Sequence, residues 1–286
     1  MPLNRREWGR LVLAGLASPL AAAALDSHVG GVLIGAQSYS FRDRKLDALI
    51  AAMADIGLSE CELWQGHVEP AGSGPEHRQA LRTWRETVPL DELRKIRAKF
   101  DAAGITLSAY NYSFRDDFTD AEIERGFEMA KALGVNALTA SSTVSVTRRV
   151  APVAARYRMM VGMHGHDNID DPNEFARTES FETAMKESPW IGLNLDIGHF
   201  IAAGYDPLPF LERYHERTVT VHIKDRRKGR GPNVPWGQGD TPVREVLLLL
   251  KKNGWKIPAN IEYAYPGADT VAEIRKCYEF CKRALA

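Results

Sequence analysis

Gly192-Leu193-Asn194-Leu195-Asp196-Ile197-Gly198-His199 and, further along the chain, Val221-His222-Ile223-Lys224-Asp225 share one pattern, an apolar β-rich run that ends in an acid or an imidazole. Met163-His164-Gly165-His166-Asp167 repeats it, and so does Asn260-Ile261-Glu262-Tyr263. One such ending is an ordinary strand exit. Several in succession imply strand ends gathered around a common pocket, and a barrel of parallel strands does this with its C-terminal ends.

The rest of the chain supports that reading. Short β-rich runs alternate with longer stretches of helical period, the pattern of βα units. The runs are Val32–Tyr39, Glu60–Trp64, Thr106–Tyr112, Ala137–Ala140, Met159–His164, Gly192–Asp196, Thr218–Ile223 and Ala259–Tyr263. Helices are expected over Lys45–Asp55, Leu90–Ala103, Asp120–Leu133, Asn173–Lys186, Val243–Asn253 and Ala268–Ala284, several of them closed by Gly57, Gly104, Gly134 or Gly254 as left-handed caps. The first run leads into Ser40-Phe41-Arg42-Asp43, which lacks the glycine-rich phosphate turn of an open dinucleotide-binding sheet. The expected fold is therefore a single-domain (β/α)8 barrel. Two long connections, Gln65–Pro89 and Lys224–Thr241, would lie on its catalytic face.

A carboxylate or imidazole at the inner lip of a barrel costs several kcal/mol to desolvate, so a cluster of them persists only if its charges compensate one another. A divalent cation does so most simply. Asp196, His222 and Glu262 mix oxygen and imidazole donors, with His164 as a natural fourth ligand; this set suits manganese first, with zinc, cobalt, iron or magnesium as alternatives. In the second run, alternation sends Glu62 and Trp64 to one side and Leu63 to the other. Glu62, Trp64, His67, His199, Lys224 and Trp236 are the candidate substrate contacts, and Tyr39, Tyr110, Tyr112 and Trp236 could present aromatic faces to sugar C–H groups or pack in the core. Lys224 could instead pair with Asp225.

Lysine plus arginine and aspartate plus glutamate both number 37, so no net field favours nucleic acid or an anionic membrane. A neutral or locally recognised small substrate fits better, the aromatic faces above suit a small carbohydrate as that partner, and a homo-oligomer is compatible with this composition. Residues 1–25 read as an export signal: Asn4-Arg5-Arg6-Glu7-Trp8 and then an apolar stretch from Leu11 to Leu25, shorter than the roughly 20 residues of a spanning helix. Arg5-Arg6 resembles a twin-arginine signal, which implies a periplasmic protein without a stable membrane anchor, its barrel occupying residues 30–286. Cys61, Cys277 and Cys281 are too few for a disulfide framework and read as buried small apolar residues.

With these residues in view, the chain resembles the sugar phosphate isomerase/epimerase superfamily, the xylose isomerase-like barrels that also include inosose dehydratases and endonuclease IV. Asp196-Ile197-Gly198-His199 is similar to that family's Asp-x-x-His after the sixth strand, and Val221-His222-Ile223-Lys224-Asp225 and Ile261-Glu262 extend the likeness. The resemblance implies that Asp196, His222 and Glu262 ligate the metal, while His199 binds substrate or a second metal. Many epimerases of this group exchange protons between two metal-bound glutamates, one of them at the end of the fifth strand. Here that position holds His164. The leading expectation is metal-assisted proton abstraction next to a sugar carbonyl, ending in isomerisation or epimerisation, with Glu262 or a histidine moving the proton. The alternative is a lyase or dehydratase that expels water or an aglycone, with His164, His166 or His199 as general acid. A non-catalytic sugar-binding barrel is a further class. A nuclease role conflicts with the balanced charge.

Overall fold

The computed structural model describes residues 25–267 and 269–286. Each of the eight β-rich runs forms a strand, and the strands are labelled here in chain order: β1 Val32–Gln37, β2 Glu60–Trp64, β3 Thr106–Asn111, β4 Ala137–Ala140, β5 Met160–His164, β6 Ile191–Asp196, β7 Thr218–Ile223 and β8 Ala259–Ile261. Each pairs in parallel with the next, and β1 pairs with β8, closing the barrel. Helices surround it, as a single-domain (β/α)8 barrel requires. A two-residue arm, His28–Val29, folds back antiparallel on the start of β1.

The expected runs overshoot by one residue at the end of β3 and by two at the ends of β1 and β8. Ser38–Phe41 turns into a 3-10 helix, where Gln37 accepts from Tyr39 N, so β1 stops two residues early. After Ile261, Tyr263 N donates to Ser40 Oγ, which ends β8 in that same turn. Helices stand at Leu46–Ile56, Leu90–Ala102, Asp120–Ala132, Thr178–Glu187, Val243–Asn253 and Thr270–Leu285, close to the expected spans. The main boundary error is Asn173: its side chain and carbonyl accept from Ser145 N and Val144 N, tying it to a neighbouring loop ahead of the helix. Gly57, Gly104, Gly134 and Gly254 take φ of 92°, 72°, 68° and 63°, the left-handed geometry that makes glycine a helix terminator.

Four helices were not anticipated: Gly74–Thr87, Thr147–Tyr157, Ile197–Ala202 and Pro207–Tyr214. The first fills much of the connection read as a loop after β2. It opens on Gly-Pro and is held mainly by charge, since Arg78 and Arg82 pair with Glu122 and Arg85 pairs with Glu69. The second contains Pro152, which reads as a break in sequence.

The apolar core lies between the outer faces of the strands and the helices, and includes Leu63, Leu193, Leu195, Val221 and Ile223. The three cysteines are buried and free. Among the described residues no helix is long and apolar enough to cross a membrane. The expected export segment falls almost wholly on residues outside those described.

Candidate metal centre

Inside the barrel the alternation of each strand delivers polar groups to one level. Glu62, fully buried on β2, accepts from Gln37 Nε2 of β1 at 2.8 Å, Thr139 Oγ1 of β4 at 2.5 Å and Asn194 Nδ2 of β6 at 3.3 Å, and its second oxygen meets His222 Nε2 of β7 at 2.6 Å. Partners from four other strands place this carboxylate near the barrel axis. The sequence-based assignment of Glu62 to the substrate is therefore corrected: it lies behind His222, away from the cavity wall, and anchors that ring. A histidine held this way from behind has its other nitrogen fixed for a ligand.

That other nitrogen, Nδ1, is 2.8 Å from Glu262 Oε2. Strand register does the rest: Asp196 of β6 is level with His222 of β7, while His164 of β5 is level with Asn194 one pleat below. Glu262 follows β8 immediately and donates its N–H to Ile223 O. Ligand atoms of His164, Asp196, His222 and Glu262 consequently lie within 4.8 Å of one another, and all four residues are buried. Two donors on opposite sides of one ion, each at about 2.0–2.2 Å, would be about 4.0–4.4 Å apart.

The electrostatics fit a cation as well. Among the described residues His164 Nδ1 and Asp196 Oδ2 are buried without a hydrogen-bond partner. Lys224 Nζ stands 3.0 Å from Asp196 Oδ2 as an ion pair, without hydrogen-bond alignment, and donates to Glu262 Oε1 at 2.8 Å. Lys224 therefore pairs with these two acids. Asp225, offered from sequence as its partner, instead accepts from Gly237, Gly239 and Thr241 N–H groups and pins the long connection after β7. Burial lowers the affinity of His222 for a proton, but Glu62 and Glu262 outweigh it and raise the pKa to about 10. Burial, together with the neighbouring His222 and His166 rings, pushes His164 well below the usual range, so it is neutral and open to a cation. Glu262 is held well below the carboxylate range because Lys224 and His222 overcome its burial.

A cavity of about 600 Å³ opens above the cluster. His164, His222, Lys224 and Glu262 face it from β5 to β8; Gln37, Tyr39, Trp64, Asn111 and Ser113 face it from the other half. His166 and His199 line it too, their rings in edge contact with His164 and with each other. His166 Nε2 meets Ser141 Oγ at 2.9 Å, and burial, with His199 and Lys224 adding to it, lowers its pKa to about 4. His199 sits on the short helix after β6, whose first turn Asp196 caps by accepting His199 N at 2.7 Å.

Two expected substrate contacts lie elsewhere. His67 bonds Ser38 Oγ and packs on the edge of Trp64, and so supports the aromatic wall from behind. Trp236 packs against Phe280 on a separate surface depression. Tyr110 and Tyr112 are core residues, leaving Tyr39 and Trp64, 5.0 Å apart, as the aromatic wall. Sequence reasoning missed Gln37, Asn111, Asn194, Ser141 and Arg226. Gln37, Asn111 and Asn194 lie on strands, where alternation offers a signal; Ser141 and Arg226 lie in loops, which carry none.

The sequence profile of the family described as Xylose isomerase-like TIM barrel matches residues 50–283. Over 100 residues, 35% of each chain, the protein is 32% identical to the L-ribulose-5-phosphate 3-epimerase UlaE of Escherichia coli, so the matched stretch spans about a third of that relative's length. A solved sugar phosphate isomerase/epimerase from Parabacteroides distasonis superposes with a TM-score of 0.64 at 16% identity, covering 91% of this chain and 97% of the other. The IOLI protein with a bound zinc atom gives a TM-score of 0.66 at 16% identity, covering 89% and 98%. At such identities the two structures speak for the shared fold.

Proposed function

The chain belongs to the xylose isomerase-like TIM barrel family, and we propose that it is a divalent-metal-dependent isomerase or epimerase of a small keto-sugar. The observation that carries this reading is the convergence of His164, Asp196, His222 and Glu262 beneath a cavity of about 600 Å³. His164, Asp196, His222 and Glu262 would hold the cation, manganese first and otherwise zinc, cobalt, iron or magnesium, which would supply Lewis acidity toward a sugar carbonyl and a neighbouring hydroxyl.

Glu262 is the base. Lys224 and His222 keep it ionised and hold both of its oxygens. The same contacts make it a weak base, so it depends on the polarised carbonyl to acidify the C–H bond. Tyr39 and Trp64 pack against the sugar, and Gln37, Asn111 and Ser113 offer hydrogen bonds to its hydroxyls.

A specific observation favours a second reading. Only one glutamate faces the cavity among the four candidate ligands, and three imidazoles, His164, His166 and His199, stand together on the wall where a symmetric exchange would need a second carboxylate. Such a site is suited to coupling proton removal with departure of water or an aglycone. Incubation of the manganese-loaded protein with keto-sugars and 3-keto-glycosides in deuterated water, followed by NMR, separates the readings. Deuterium at a carbon with every hydroxyl retained supports isomerisation or epimerisation; a new enone with loss of water or aglycone supports elimination. No product from a broad panel, with sugar binding intact, overturns both in favour of a binding protein.

We also propose that residues 1–25 export the barrel of residues 30–286 to the periplasm. Replacing Arg5 and Arg6 with lysine should hold the precursor in the cytoplasm. Unchanged delivery overturns the twin-arginine assignment.

A further inference from the structure

Arg226 is a buried arginine in the connection after β7, outside the cluster of candidate ligands and in contact with His199, which lines the cavity. Its guanidinium is fixed from three sides: Nε and Nη2 donate to Gly231 O at 3.1 and 2.8 Å, Nη2 donates to Asp167 Oδ2 at 3.0 Å, and Nη1 meets His199 Nδ1 at 2.6 Å. Its backbone is tied as well, the N–H to Thr241 Oγ1 and the carbonyl to Asp240 N.

The contact with His199 has a chemical consequence. A guanidinium has donors only and stays protonated in proteins, so the imidazole nitrogen 2.6 Å away has to accept. Asp167 Oδ1 also approaches Nδ1, but at 3.4 Å, and Asp167 is already engaged by Arg226. The shorter contact decides the tautomer. We infer that Arg226 is a positioning residue that holds His199 with its proton on Nε2, so that this ring presents an N–H donor to a substrate oxygen in the cavity. Without Arg226, Asp167 would favour the proton on Nδ1 and turn a lone pair toward the substrate. The ring would then be an acceptor where the sugar oxygen needs a donor.

This assignment rests on the carbohydrate-site reading above, yet its primary test needs no substrate. Long-range ¹H–¹⁵N correlation spectra of the full, zinc-loaded protein, with His199 identified by its loss in His199→Gln, report the tautomer directly. Wild type should show Nε2–H for His199. Arg226→Met should move the ring toward Nδ1–H, and Arg226→Lys, which keeps a donor, should restore much of the wild-type pattern. If a catalysed reaction is in hand, Arg226→Met should lower kcat about 100-fold, the scale of losing one aligned donor, with metal content unchanged. A wild-type His199 protonated at Nδ1, or a tautomer indifferent to Arg226→Met, overturns the inference and leaves the isomerase reading standing. Should Arg226→Met fail to fold, the wild-type and Arg226→Lys spectra decide alone.

Discussion

The two halves of the barrel mouth are chemically unlike. Strands β5 to β8 deliver His164, Asp196, His222 and Glu262, with Lys224 and Arg226 just beyond them, whereas the ends of β1 to β4 and the turns after them bring amides, hydroxyls, aromatic rings and the two arginines Arg42 and Arg115 to the cavity, with no acid or imidazole among the described residues of that wall. The one carboxylate that β2 contributes at this level, Glu62, reaches across to His222. The contrast teaches a division of labour. Acids and imidazoles concentrate where they can neutralise one another around a cation, and the opposite wall, with its amides, hydroxyls and aromatic rings and the guanidinium groups of Arg42 and Arg115, can read a sugar without competing for the metal.

The sharpest way to break that comparison is to remove a carboxylate from the ionic half. Glu262→Ala and Asp196→Ala should each weaken metal binding more than about 100-fold, beyond the usual effect of supporting residues, and purify with little metal and little activity. Wild-type metal content by elemental analysis in both variants would sink the site. A smaller effect is expected one step back. Glu62→Gln leaves the cavity wall intact but replaces the anionic partner of His222, so metal affinity measured by calorimetry should fall about 10–100-fold. An unchanged affinity would show that Glu62 is only a structural anchor.

The opposite half should respond differently. Trp64→Ala should raise KM for a turned-over sugar about fivefold to tenfold, equivalent to about 1–1.4 kcal/mol, with metal content unchanged. Loss of metal instead would show that the two halves are not separable. The smallest effect concerns Glu60, two residues below Glu62 on the same strand and fully buried. Burial pushes its carboxyl up to about 8, with the Glu62 charge adding to this and the hydrogen bond from Ser108 opposing it. Unfolded, the group titrates near about 4.3. Between those values the folded chain holds a proton that the unfolded chain lacks, so this contribution is full below about pH 4.3 and fades as pH rises toward 8. Glu60→Gln, neutral at every pH, should abolish that slope. The Tm of the variant should gain on wild type between about pH 5 and 8, and a constant difference in thermal melts would refute the assignment.

Much of this was legible in the sequence because it is local. Strand periodicity is set by apolar alternation, helix ends by the glycines that alone accept positive φ cheaply, and the ligand strands by acids and imidazoles that directly follow apolar residues. The helix Gly74–Thr87 escaped notice because its stability comes from Arg78, Arg82 and Arg85 meeting Glu122 and Glu69, the first of these acids some forty residues away along the chain. His67 and Trp236 were misplaced for a related reason: a loop residue has no periodicity to say which way it faces.

By itself, then, the sequence determined the eightfold alternation, which residues of a strand such as Glu62 and Trp64 share a side, and the chemical type of the groups at the strand ends, the first two of which follow from the two-residue repeat of a β-strand. Tertiary structure alone decided which of those groups meet. Whether Glu62 touches sugar or steadies His222, whether Lys224 pairs with Asp225 or with Asp196 and Glu262, and whether Arg226 faces solvent or the His199 ring depend on the stagger between strands and the path of the connections. Those are properties of the closed barrel, where residues far apart in sequence come within hydrogen-bonding distance and the low dielectric makes each pairing count.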